Sequence, residues 1–161
     1  MNRNYRALYI WWIAVLLLAT GLFWTGYEGY ILDIWVKDVT YLTTVIFLIL
    51  NYGVALMGIV SWNLYTGKNP ELVEKYIDRV WFLSEVEMAL AIVGTGIGII
   101  LLLGINSDIN VSDPTALQAL LMHLWATLGV AFYPNAVGLI GSLFLKTLAY
   151  FISEDLNKHE N

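Results

Sequence analysis

Apolar positions along the chain gather into four long runs, separated by short polar stretches. The first, Leu8–Tyr27, carries Trp11, Trp12 and Trp24 near its ends, where a membrane span places its interfacial aromatics. A polar linker with Glu28, Asp33, Lys37 and Asp38 leads to a second run, Val39–Tyr65. The segment Thr66 to Pro70 is a break, and Asn69-Pro70 predicts an N-cap followed by the first turn of a new helix. From Pro70 the pattern continues to Ile105, which as one helix would reach about 54 Å. That exceeds a bilayer, so the polar part, Glu71 to Arg79, is expected to extend into water, leaving Glu85–Ile105 as the third span. Asn106 to Pro114 reads as a polar loop. The stretch Thr115–Ile152 predicts a last helix with its bilayer core at Thr127–Tyr150, and residues 153–161 form a frayed polar tail.

Composition agrees with this pattern. Hydrophobic residues make up 59% of the 161, with a mean hydropathy of +0.69, against roughly 45–50% in soluble domains. The expected fold is therefore all-α and polytopic, with four transmembrane helices and the third extended into the cytoplasm. Residues 1–65 supply two peripheral spans, 66–79 a cytoplasmic link, and 80–152 two further spans joined by an external loop. Arg3 and Arg6 before the first run resemble a signal peptide, but the run is too long for one and lacks a small-x-small cleavage site. Seven of the eight basic residues fall on one side of this topology and only Lys37 on the other, which predicts a multi-pass protein with both termini cytoplasmic. The absence of cysteine excludes disulfides and thiol chemistry, and a net charge of −5 without a basic cluster argues against nucleic acid.

Small residues mark the last two spans. On the third, Ser84, Ala91, Thr95, Gly98 and Leu102 share one face, and Glu87, Ala91, Gly94 and Gly98 form an overlapping stripe. On the fourth, Thr127, Ala131, Asn135, Gly138, Ser142 and Ala149 fall on one face. Two such stripes serve either close helix packing or the walls of a narrow polar path. Pro134 removes a backbone donor beside Asn135 and predicts a local kink. Glu85, Glu87 and Lys146 read as a cytoplasmic mouth, or more simply as interfacial charges that pair with one another or with Arg79.

Glu85 and Glu87 fall where the third span leaves the cytoplasmic interface, and no Asp, Glu, Lys or Arg lies in the middle third of any span, so an ion-driven protein would need its mid-membrane carboxylate from another subunit. One interfacial histidine, His123, provides neither a metal site nor a haem pair nor a catalytic dyad, so no enzyme, metal or cofactor is expected.

The segment Ala91–Ile99, with Gly94-Thr95 followed by Gly98, is similar to the GTxxGI signature of the MotA/TolQ/ExbB proton-channel family. Ala131–Ile140, with Asn135 and Gly138-Leu139-Ile140, resembles that family's second block, Asn135 standing where a threonine is usual. The resemblance implies a homopentamer in the inner membrane, around a single-span partner of the ExbD/TolR/MotB kind that carries the ion-binding aspartate. It implies that Thr95 and Asn135, with Ser142 and Thr127 on the same stripe, face the proton or sodium path and the partner. The other expectation is a structural or assembly protein whose stripes only hold helices together.

Overall fold

A computed structural model describes residues 5–38, 40–67, 69–105 and 114–160. Their regular structure is helical: α1 (Tyr5–Tyr27), α2 (Tyr30–Lys37), α3 (Leu42–Thr66), α4 (Pro70–Ile105), α5 (Pro114–Ala131) and α6 (Tyr133–Glu160). Four helical segments are long and apolar enough to cross a membrane: Tyr5–Tyr27, Leu42–Thr66, Glu71–Leu101 and Tyr133–Glu154.

The linker after α1 is more ordered than its polarity suggests. Gly29, at a φ of +79° that only glycine adopts freely, turns the chain into α2. Within α2, Lys37 Nζ donates to Asp33 Oδ2 at 2.7 Å, one turn back, and this bond raises the lysine pKa. Asp38 then organises the start of α3. Its carboxylate accepts from the Thr40 amide and hydroxyl through Oδ1, and from the Thr43 amide through Oδ2 at 2.8 Å. Val39, expected as the start of the span, lies outside the described residues; the helix itself begins at Leu42.

At the far end of α3, Gly67 (φ +66°) closes the helix, its N–H bonding the Asn63 carbonyl. Asn69 enters α4 with a positive φ of 49°, and its backbone carbonyl accepts from the Leu72 and Val73 amides. The first turns of α4 do not stand away from the bundle. Val73, Ile77 and Val80 are buried in the core, while Glu71, Glu74, Lys75, Asp78 and Arg79 face outward.

Helix register follows from the glycine contacts. Gly53 of α3 lies against Leu145 of α6, Ile46 reaches Gly138, and Leu42 reaches Gly94 of α4. The helix α3 is thus antiparallel to α4 and parallel to α6. It packs against both of them and against α1, where Trp11 covers Gly58 and its indole N–H donates to the Val54 carbonyl at 2.9 Å. Because Leu42 meets Gly94, it is the C-terminal part of α4 that runs on past α3, by about 16 Å at 1.5 Å per residue. At the opposite end, Arg6 pairs with Glu154 at 3.5 Å and the Tyr5 ring meets Tyr65 at 5.2 Å. The start of α1, the end of α6 and the α3–α4 turn therefore gather at one end of the bundle.

The expected single last helix is two. It breaks at Phe132, because Pro134 has no N–H to give to the Val130 carbonyl. The Phe132 amide bonds Gly129 instead, and the Ala136 amide resumes the helix on Phe132. The expected frayed tail is also helical. It extends α6 to Glu160, with Ile152 buried and Leu156 packed on the core.

Candidate functional site

The two small-residue stripes meet each other. Along the antiparallel seam that α4 makes with α6 and the end of α5, Gly98 faces Ala131 of α5, Gly94 faces Pro134, and Gly138 faces Ala91. A Cβ on Gly138 would lie 2.5 Å from the Ala91 Cβ and 2.9 Å from the Glu87 carbonyl oxygen. All three close-packing glycines are thus occupied within one chain, with backbones drawn together as small residues permit.

Thr95 and Asn135 follow immediately after the facing pair Gly94–Pro134. In antiparallel helices, stepping one residue on from a facing pair turns both side chains to the same flank. Both are half-buried there. Trp81 and Met88 share the Thr95 face of α4, and Leu139 and Lys146 share the Asn135 face of α6. This flank is partly open, whereas α3 closes the other side through Leu42, Ile46 and Gly53. The Thr95 hydroxyl donates to the Ala91 carbonyl at 3.0 Å, which leaves its oxygen free to accept. Ser142, seven residues on from Asn135, shares its face of α6 and is buried. The Thr127 side chain lies outside the described residues. Its backbone belongs to α5, across the break at Phe132, so the fourth-span stripe is not one continuous helical face.

The expected mouth of Glu85, Glu87 and Lys146 does not assemble. Two residues apart, the glutamates point to opposite sides of α4: Glu85 is exposed and Glu87 is wholly buried. Lys146 directs its ammonium to the Trp81 ring, 5.8 Å from the centroid, and Arg79 lies over Tyr76 at 5.5 Å. Neither partner anticipated for Glu87 reaches it.

Glu87 instead turns into the helix bundle. It sits at the middle of the 36-residue α4, bracketed by the Leu42–Gly94 contact on one side and the Gly53–Leu145 contact on the other. Both carboxylate oxygens are buried without a hydrogen-bond partner. Oε2 points at Gly141, where a Cβ would be 2.9 Å away. The expected pairing of Glu87 with Lys146 or Arg79 is therefore corrected: its carboxylate is buried between the helices with neither of them. The shared face of Glu87, Ala91 and Gly94 carries the sequence signal for this burial, and Gly141 on the opposing helix completes it.

Among the described residues no group of acids and histidines is placed to hold a metal ion. No family model, curated protein or solved structure matches the chain.

Proposed function

We propose that the protein is a channel-type subunit of an ion-driven membrane assembly, in which several copies turn their Thr95–Asn135 flanks to a common path. The carrying observation is the antiparallel register of α4 and α6, which brings these two polar residues, distant in sequence, to one partly open flank. Polar side chains at depth in a span face protein or water rather than lipid, and a neighbouring copy or an aqueous path meets that need.

In this reading the assembly is a homopentamer in the inner membrane with both termini cytoplasmic. It conducts protons or sodium together with a single-span partner that bears an intramembrane aspartate. The gathering of the α1 start, the α3–α4 turn and the α6 end at one end of the bundle accords with four crossings. The likeness of the two blocks around Thr95 and Asn135 to the MotA/TolQ/ExbB family supports the same reading.

A second reading, a structural or assembly protein, is favoured by one observation: Gly94, Gly98 and Gly138 are all filled by contacts within the chain. The mass of the detergent-extracted complex separates the two. Five copies, with dye-reported proton or sodium flux on reconstitution with the partner, support the channel subunit. A monomer, or an oligomer that passes no ion even with its partner, supports packing alone.

A further inference from the structure

We infer that Glu87 is an intramembrane proton-binding site that belongs to this chain itself. The proposed assembly takes its ion-binding carboxylate from a partner; this site adds one that needs no partner, and it does not rest on the Thr95–Asn135 path.

Geometry sets Glu87 apart from an ordinary interfacial acid. It is wholly buried at the centre of α4, its oxygens lack hydrogen-bond partners, and it aims at Gly141, where the absence of a side chain leaves room for the carboxyl group. The neighbouring elements bring no compensating charge. The helix α3, Leu42–Thr66, contains no Asp, Glu, Lys, Arg or His; of its two tyrosines, Tyr52 is exposed and Tyr65 packs on Tyr5 at the far end of the bundle. On α6 the nearest charged residue is Lys146, which is committed to Trp81; on α4, Glu85 points the opposite way and Arg79 lies over Tyr76. The Ser84 hydroxyl, on the same face of α4, donates to the Trp81 carbonyl at 2.6 Å.

The ligand follows from the same facts. A metal cation needs several oxygens around it, and here two carboxylate oxygens stand alone against small and apolar residues. A proton needs only one of them: the carboxylate takes it up to become a neutral acid, and returns it without any other reactant. The neutral form suits apolar surroundings, and the ionised form is costly there unless a transient partner or water arrives. That difference makes occupancy of the site responsive to whatever reaches the α4–α6 seam.

Infrared spectroscopy of the full chain in liposomes tests the site directly. The expected result is a carboxylic C=O band that shifts in deuterium oxide and moves down when glutamate is ¹³C-labelled at its side-chain carboxyl. The band should disappear in Glu87→Gln, and disappear reversibly in the wild type as pH is raised with the helical amide band unchanged. Labelling the wild type decides the assignment even where the variant fails to fold, because Glu87 is the one wholly buried glutamate among the described residues. The inference is overturned if no such glutamate band exists, or if it persists at every pH the fold survives. Since the band is read without ion flux, its outcome is independent of whether the assembly conducts.

Discussion

Glu87 and Gly141 meet across the α4–α6 seam, with Oε2 of the glutamate 2.9 Å from the point a Cβ on Gly141 would occupy. The contact ties an acid at the middle of one span to a missing side chain on the next. Three residues earlier on α6, Gly138 lies under the backbone of the same glutamate, 2.9 Å from its carbonyl oxygen by the same measure. One glycine admits the carboxyl group; the other lets the helices touch.

These roles predict different costs for one added methyl. At Gly138 it meets Ala91 and backbone, neither of which can swing away, so Gly138→Ala should destabilise the fold by about 1–3 kcal/mol. At Gly141 it meets the end of a flexible side chain, so Gly141→Ala should cost less while displacing Glu87. At Gly96 nothing lies within 4 Å, and Gly96→Ala should be neutral or slightly stabilising. Thermal unfolding in detergent orders the three; a Gly138→Ala protein as stable as Gly96→Ala would contradict the seam.

Glu87 itself should be dispensable for stability. A buried charge with a bound partner costs about 3–5 kcal/mol when the pair is broken, but Glu87 has no such partner. Glu87→Gln should therefore unfold within about 1 kcal/mol of the wild type, and Glu87→Leu should be at least as stable. A large loss in both would reveal a pairing absent from this structure.

Thr95→Val with Asn135→Leu removes both polar groups from the shared flank while keeping side-chain volume close. The pair should abolish ion-dependent function and leave the oligomer and its melting temperature within a few degrees of the wild type. Dissociation of the oligomer in this variant would assign the two residues to packing.

Acid should loosen the start of α3. Burial opposes the charge on Asp38, but the hydrogen bonds from Thr40 and Thr43 outweigh it and hold the carboxyl below the usual carboxylate range. A carboxylate depressed in the folded state contributes stability above its ordinary pKa, and that contribution is lost as pH falls through the lowered value. Hydrogen exchange at the Thr40 and Thr43 amides should accelerate in that acidic window. In Asp38→Asn it should be faster at neutral pH, by about 1 kcal/mol of lost capping, and should respond less to acid.

Proline chemistry and hydrophobic length were legible in the sequence because both act locally. Pro70 opens α4 at the residue where it was expected, and the missing donor of Pro134 divides the last helix, although the break falls at Phe132 and separates Thr127 from Asn135. The capping by Asp38 was less legible, since a polar linker residue acquires that role only when Thr40 and Thr43 fold back on it. Trp11 looked like a belt residue and became an α1–α3 contact once Gly58 offered it a groove.

By itself, the sequence determined four apolar helices, their order, and the small or polar character of two faces. Only the tertiary structure decided that the glycines of those faces meet each other, that α3 packs over their seam, and that Glu87 is buried in it against Gly141. Periodicity specifies which residues share a face of one helix. Depth and partners depend on the register between helices, which is set by side-chain contacts such as Leu42–Gly94 and Gly53–Leu145 that no single helix contains.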